Sequence, residues 1–114
     1  MAKFLLVVKS QDQLNVNTAV NVALGLKMMG AEDVKIVFLG PGINALNKNN
    51  TELSSIVQKN STSLKQSNIK VYACQMAMTN YNVKQQDLIY YDEISKGADV
   101  IVKFANEGYT ILTF

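Results

Sequence analysis

Short apolar runs alternate with amphipathic segments along the whole chain. Continuous apolar runs with polar ends are typical of strands that are buried on both faces of a parallel sheet. The segments between these runs place apolar residues on one side of a helical repeat. The predicted strands are residues 3–9, 34–39, 69–73, 89–91 and 109–114, and the predicted helices are residues 15–29, 51–67, 75–81 and 98–106.

The alternating order of strands and helices predicts one α/β domain over residues 1–114. Strand-helix-strand units connect through right-handed crossovers, so the strands run parallel and helices cover both faces of the sheet. We therefore expect a three-layer α/β/α sandwich with a mostly parallel five-stranded sheet, doubly wound in the flavodoxin-like manner. The order of the strands stays open at this stage.

Two glycine features need an interpretation. Gly25 lies inside the first predicted helix, where glycine costs about 1 kcal/mol relative to alanine, so we expect it to pack closely on the sheet. Residues 40–45 match the dinucleotide-binding pattern G-x-G-x-x-A in form. That pattern belongs after the first strand with an acidic residue about 20 positions later. Here it follows the second strand, contains Pro41 and has no such acid, so we interpret it as a turn.

The composition restricts the class of protein. Hydrophobic residues make up 48 % of the chain and charged residues 18 %, which excludes a disordered chain and suggests apolar surface covered by another subunit. The formal charge is only +2 and arginine is absent, so we expect no nucleic-acid partner. No apolar run is long enough for a signal peptide or a membrane span. A single cysteine allows no internal disulfide, so we expect a cytoplasmic protein with no membrane partner.

Cys74 is the leading candidate for covalent chemistry, because the chain has no histidine and no other cysteine. It follows the third predicted strand and precedes a helix, and ligands of open α/β sheets bind at the carboxyl ends of strands. Free N–H groups at a helix start favour a thiolate, which is the nucleophilic form. A buried, inert thiol is the alternative. The residues that we expect around the substrate are Lys9, Ser10, Gly42, Gln75 and Met78.

Other sites have weaker support. Asp92, Glu93 and Asp99 follow the fourth predicted strand, and we interpret them as exposed loop acids rather than as a paired-acid or metal site. With no histidine and one cysteine, the chain offers almost no ligands for a transition metal. We therefore expect no metal and no organic cofactor. Met76 and Met78 either fill the core or line an apolar pocket or a subunit contact.

Four segments in order resemble the DsrE/DsrF-like family: Asn21–Lys27, Gly30–Gly42, Val71–Cys74 and Gly108–Phe114. The resemblance implies a DsrE-like α/β sandwich that forms oligomers, with a trimer or a hexamer possible, and it implies sulfur-relay chemistry. In active members, including TusD-type subunits, a cysteine at the position of Cys74 accepts sulfur as a persulfide and passes it to a partner thiol protein. Some relatives carry a second cysteine four residues later, where this chain has Met78.

Three functional hypotheses follow. The leading one is a sulfur carrier or sulfurtransferase in which Cys74 holds sulfane sulfur and exchanges it with a partner thiol. The second is a non-catalytic subunit of an oligomeric sulfur-metabolism complex, in which Cys74 is only packed. The third is a flavodoxin-like domain that binds a small ligand, although the loop after the first strand lacks the glycines of a phosphate site.

Overall fold

The computed structural model describes residues 1–114 and places a five-stranded sheet between two layers of helices. The strands are β1 Lys3–Val8, β2 Asp33–Phe38, β3 Lys70–Cys74, β4 Glu93–Ser95 and β5 Thr110–Thr113. The α-helices are α1 Gln13–Met28, α2 Thr51–Lys59, α3 Ser61–Gln66, α4 Gln75–Asn80 and α5 Gly97–Asn106. Two 3₁₀ helices span Gly40–Leu46 and Gln85–Asp87. None of the helices is long and apolar enough to cross a membrane.

The strand order is β4-β3-β2-β1-β5, and every neighbouring pair is parallel. The chain winds outward from β1 to β4 on one side of the sheet. It then returns through α5 to place β5 on the other side of β1. The three-layer α/β sandwich with a five-stranded parallel sheet, predicted from the alternation of patterns, is confirmed.

The sheet separates two hydrophobic cores. Leu6 and Val8 of β1 point into the larger core, which lies under α1 to α4. Leu5 and Val7 point into the smaller core, where they meet Phe104 of α5. α5 is the helix that covers this second face, where Val100 and Phe104 are buried.

The fourth strand differs from the prediction. The apolar residues 89–91 do not form a strand; they lie half-buried against the larger core, and the Ile89 N–H donates to the Leu46 carbonyl at 2.8 Å. Asp92 then ties the chain to β3, because its N–H donates to the Val71 carbonyl at 2.8 Å and its carboxylate accepts from the Val71 N–H at 2.7 Å. Strand pairing starts only after this clamp, at Glu93.

The second predicted helix is divided in two. α2 ends and α3 begins around Asn60, whose side-chain amide donates to the Ile56 carbonyl at 2.7 Å. The cap of α2 is Asn50 rather than Thr51, since the Asn50 side chain accepts from the Leu53 N–H. A polar side chain that forms a hydrogen bond with the backbone of the last turn can end a helix, even where the helical spacing of apolar residues continues beyond it.

The interpretation of Gly25 as a packing glycine is wrong. A Cβ atom added at Gly25 would have no atom within 4 Å, and the residue has ordinary helical geometry. No contact around α1 therefore requires glycine at this position. The predicted role of Gly30 as the residue that follows the helix is consistent with its positive φ of 99°.

A polar cluster fastens β5 to β2 beneath α5. The Tyr109 hydroxyl donates to the Asp33 carboxylate, which also lies 2.8 Å from the Lys35 ammonium group. Burial alone would raise the pKa of Asp33, but the hydrogen bonds from Lys35 and Tyr109 outweigh it and lower that pKa. Burial, then the bond to Asp33 and its charge, raise the pKa of Tyr109. The Tyr109 ring packs against Phe104 with 4.7 Å between centroids.

Tyr109→Phe should lower the free energy of unfolding by about 1 kcal/mol at neutral pH, because a partly exposed hydrogen bond to a charged group is lost. A raised folded-state pKa contributes stability that is present below the unfolded value of about 10 and lost above it. The wild type should therefore lose stability above about pH 10, and the variant should lose less. Urea unfolding across pH measures both effects, with the exposed Tyr81→Phe as the matched control. Equal stability of Tyr109→Phe and wild type would contradict this assignment.

Candidate functional site

Cys74 lies at the carboxyl edge of the sheet, as its position after the third strand predicted. It is the last residue of β3 and also the N-cap residue of α4, with extended backbone angles. The side chain is largely buried, with only 7 % of its surface exposed. The thiol is free, because the chain has no second cysteine.

The sulfur of Cys74 lies against the first turn of α5. A Cβ atom added at Gly97 would stand 3.2 Å from the Cys74 Sγ and 3.1 Å from the Leu39 Cδ2. Both distances are shorter than ordinary contacts, so the absence of a side chain at Gly97 lets the sulfur approach the helix backbone. The sulfur makes no hydrogen bond to any other side chain or to the backbone.

Two helices, α4 and α5, begin near this sulfur, and neither has a capping side chain at its first turn. Cys74 precedes α4 and Lys96 precedes α5, and neither side chain accepts a bond from its own helix. The first N–H groups of a helix have no partner within the helix and carry partial positive charge. Such groups, together with a neighbouring lysine, can donate to a negatively charged sulfur atom. The arrangement suits a sulfur nucleophile that also has to hold a charged product.

An open groove of about 450 Å³ lies beside α4. It is lined by Gln75, Met78, Thr79, Asn82, Val83, Lys84, Gln85 and Ile94. Two of the predicted substrate-binding residues, Gln75 and Met78, are therefore beside Cys74 and in a cavity. The Cys74 side chain itself does not line this groove; its sulfur lies against Gly97 at the start of α5.

A second groove of about 350 Å³ lies on the α5 side of β4. Its lining includes Ser95, which pairs with Cys74 across the ladder, and Lys96. Grooves therefore flank β4 on both faces, and Cys74 is one strand inward from it. A partner that approached the thiol from this end of the sheet would contact one or both grooves.

The structure does not bring Lys9 and Ser10 to the thiol. They follow β1, which is two strands away from β3, or about 10 Å at the usual strand spacing. The Ser10 hydroxyl accepts from the Asp12 N–H at 2.9 Å and from the Asn15 amide at 3.2 Å. Ser10 therefore holds the start of α1, and the lysine next to the Gly97 contact in the chain is Lys96.

Gly42 has a packing role. A Cβ atom there would stand 2.1 Å from the Val8 carbonyl oxygen. Only glycine lets the 3₁₀ helix Gly40–Leu46 lie on the end of β1. The segment interpreted as a turn is this 3₁₀ helix, and its central glycine meets the protein's own backbone instead of leaving room for a phosphate.

Asp92 and Glu93, which follow the predicted fourth strand, lie at the start of the observed β4 and have structural partners. Asp92 accepts from the Val71 N–H, and Glu93 lies 3.9 Å from the Lys70 ammonium group. No group of three or more histidine, cysteine, aspartate or glutamate side chains is placed to hold a metal ion.

The comparison with protein families decides the relationship. The sequence profile described as the DsrE/DsrF-like family matches residues 2–114. The chain belongs to the DsrE/DsrF-like family. The resemblance of the four segments named above is therefore confirmed, and it extends over the loops and helices between them.

Solved structures share this DsrE-like fold over the full chain. The protein of unknown function MTH1491 from Methanobacterium thermoautotrophicum superposes with a TM-score of 0.81 at 20 % identity, covering 100 % of both chains. The conserved protein of unknown function BT1422 from Bacteroides thetaiotaomicron gives 0.70 at 20 % identity, covering 98 % of this chain and 94 % of its own. The ychN protein from E. coli gives 0.66 at 17 % identity, covering 100 % of both. No curated protein sequence matches significantly.

The sequence pattern did not predict that Gly97 and Leu39 lie near the sulfur of this DsrE/DsrF-like chain. Gly97 lies 23 positions after Cys74 and meets it only because α5 crosses back over the sheet. Leu39 is the residue between the neighbouring strand β2 and the 3₁₀ helix Gly40–Leu46, and a Cβ added at Gly97 would stand 3.1 Å from its Cδ2. A glycine just before the predicted helix 98–106 was the one available signal for a close contact at that point.

Proposed function

We propose that this DsrE/DsrF-like protein is a sulfur carrier of the cytoplasm, in which Cys74 accepts sulfane sulfur and passes it to a partner thiol. The observation that carries the proposal is the placement of the only cysteine at the carboxyl edge of β3, with its sulfur against the uncapped first turn of α5. Family membership supports the same role. The proposal needs no metal and no organic cofactor.

The chemistry is two exchanges at sulfur. In the first, the Cys74 thiolate attacks the outer sulfur of a donor persulfide, R–S–SH. A new S–S bond forms on Cys74, the donor S–S bond breaks, and the donor leaves as the thiolate R–S⁻. In the second, a partner thiolate attacks the outer sulfur of Cys74–S–SH, and Cys74 leaves as a thiolate. Oxidation states balance because the sulfane sulfur only changes its bonding partner.

The N–H groups at the start of α5 have a defined part in this exchange. A persulfide is negatively charged when deprotonated, and its charge lies near the sulfur that contacts Gly97. These N–H groups are available to donate to the charged persulfide, and the buried surroundings limit the access of water. Because Cys74 is only 7 % exposed, donor and acceptor have to reach it from the end of the sheet, where the two grooves flank β4.

The burial of Cys74 favours a second candidate function. In this candidate the chain is a non-catalytic subunit of an oligomeric sulfur-metabolism complex, and Cys74 only fills space in the core. An exposed fraction of 7 % is typical of such structural cysteines. The flavodoxin-like ligand-binding alternative has less support, because Gly42 packs against the Val8 carbonyl and no glycine-rich phosphate loop follows β1.

Alkylation of Cys74 by iodoacetamide separates the two candidates. The sulfur carrier predicts that the native protein reacts with iodoacetamide at neutral pH at least as fast as the urea-unfolded chain, because a nucleophile that exchanges sulfur has to be reachable in the folded state. If the protein is the non-catalytic subunit, we expect iodoacetamide to label Cys74 more slowly in the native state than in the unfolded state, because the packed thiol is shielded. Mass spectrometry counts the adduct on the single cysteine, and Cys74→Ser provides the blank.

A further inference from the structure

A lysine-lined hollow of about 210 Å³ lies at the amino edge of the sheet, opposite the edge that carries Cys74. Lys70 is the first residue of β3, and Lys35 lies on the neighbouring strand β2. Lys65, from the last turn of α3, is the third lysine in the lining. Four residues of β3 separate Lys70 from Cys74, or about 13 Å along the strand, so the hollow is distinct from the proposed sulfur site.

Two of these lysines stand directly opposite each other. Lys35 and Lys70 are register partners in the parallel ladder of β2 and β3, where neighbouring strands lie about 4.8 Å apart. Both side chains lie on the α5 face, since the Lys35 ammonium group is 5.8 Å from the centre of the Phe104 ring and that of Lys70 is 5.2 Å from the centre of the Tyr72 ring. Like charges at opposite positions of a sheet destabilise it. A negatively charged ligand beside this pair removes the repulsion.

Internal ion pairs do not use the full positive charge of the three lysines. Lys65 forms no ion pair. The Lys70 ammonium group lies 3.9 Å from the Glu93 carboxylate, and both side chains are about half exposed, so this pair contributes little. Lys35 is held closely, at 2.8 Å from the Asp33 carboxylate. Two of the three ammonium groups are therefore available to a ligand, and the third adds its charge from a fixed position.

The rest of the lining supplies neutral hydrogen-bond donors and little negative charge. The Asn68 side-chain amide and the Tyr90 hydroxyl form no hydrogen bond within the protein. Asp92 is the one acidic residue of the lining, and its carboxylate accepts from the Val71 N–H at 2.7 Å. Donors without an internal partner, next to three ammonium groups, suit a ligand that presents several acceptor oxygen atoms.

We propose that this hollow binds small molecules that carry a tetrahedral oxyanion group, either a phosphate ester or a sulfate. Such a group offers oxygen atoms and negative charge to Lys65 and Lys70, with Lys35 behind them. The volume of the hollow corresponds to about seven water molecules at about 30 Å³ each. A small organic part of the ligand therefore also fits, against Ile69 and the Tyr90 ring. The site lies at the other end of β3 from the thiol, so the inference is independent of the sulfur chemistry.

Titration of the folded protein with inorganic phosphate, followed by the chemical shifts of backbone amides, tests the site. Sodium chloride keeps the ionic strength constant, so that only specific binding changes the shifts. We expect saturable shifts at the amides of Lys35, Asn68 and Lys70, and none at Cys74. A parallel titration with sulfate distinguishes the two sources of the oxyanion group. Saturation by either anion supports the proposal, and the tighter one identifies the source; saturation of these amides by neither anion overturns it.

Lys65→Gln is the variant that tests the lysine cluster, because Lys65 is exposed and has no internal partner, so its replacement leaves the packing unchanged. It should weaken binding of the tighter anion about fivefold, the size expected for one exposed charge contact. Lys9→Gln is the matched control, since it removes the same charge from an exposed residue after β1, at the opposite edge of the sheet, and should leave the affinity unchanged. Wild-type affinity in Lys65→Gln, or an equal loss in Lys9→Gln, overturns the proposal.

Discussion

Replacing Cys74 with serine should reduce sulfur transfer from a persulfide donor to an acceptor thiol to the rate of donor and acceptor alone. No other side chain in the protein can form a persulfide, since Cys74 is the only cysteine. A serine hydroxyl is close in size to the thiol but is not a nucleophile for sulfur at neutral pH. The measurement is the rate at which labelled sulfane sulfur appears on the acceptor, with and without each protein.

The stability of the variant has to be checked beside its activity. Serine places a hydroxyl at a largely buried position, so urea unfolding and circular dichroism should show whether Cys74→Ser keeps the native fold. Cys74→Ala, which adds no polar group, is the second variant and should lose transfer to the same extent. Transfer that persists in both folded variants would contradict the role of Cys74 as the carrier.

Replacing Gly42 with alanine should produce the largest loss of stability among simple glycine substitutions. The new Cβ would stand 2.1 Å from the Val8 carbonyl oxygen, and a backbone atom of a central strand cannot move without disturbing β1. Overpacking of a core costs about 1–3 kcal/mol and sometimes more. We expect a loss of about 3 kcal/mol or more, measured by urea unfolding.

Gly25→Ala is the matched control for that loss. It makes the same chemical change inside α1, where an added Cβ has no atom within 4 Å. Alanine restricts the unfolded chain and favours the helix, so this variant should gain about 0.5–1 kcal/mol. A Gly42→Ala protein as stable as the wild type would show that the 3₁₀ helix does not depend on close approach to β1.

The fold was predictable because each layer leaves its own pattern in the sequence. Buried strands appear as continuous apolar runs, and the helices between them require parallel neighbours. The fourth strand was misplaced because residues 89–91 are as apolar as a strand but serve as a cover on the larger core. What separates them from β4 is the Asp92 clamp on Val71, a contact between residues 21 positions apart that a local pattern does not contain.

The site was predictable only in part, because its composition depends on strand order. Cys74 was found from the end of a strand and the absence of other nucleophiles. Lys9 and Ser10 end a strand at the same edge, but β2 lies between β1 and β3. Gly97 became a neighbour of the sulfur because the chain passes from β4 through α5 to the far side of β1. Contacts created by such a crossover depend on the order of the strands in the sheet, which the local sequence pattern does not contain.

The contact between Cys74 and Gly97 connects the fold to the proposed chemistry. The same crossover that covers the second face of the sheet brings Gly97, the first residue of a helix without a side-chain cap, to a buried sulfur atom. The groups that we propose to stabilise the persulfide are backbone N–H groups, so the proposed chemistry needs no histidine or arginine, neither of which this chain contains. Because the chain has Met78 and not a second cysteine four residues later, the proposed carrier would release its sulfur only to a thiol of another molecule.

Intact mass spectrometry of the native protein after exposure to a persulfide donor tests the central claim most directly. The account predicts one added mass of about 32 Da per chain, which is one sulfur atom, and its loss when an acceptor thiol is added. Cys74→Ser should show no added mass under the same conditions. A native wild-type protein whose mass does not change after exposure to the donor would contradict the account.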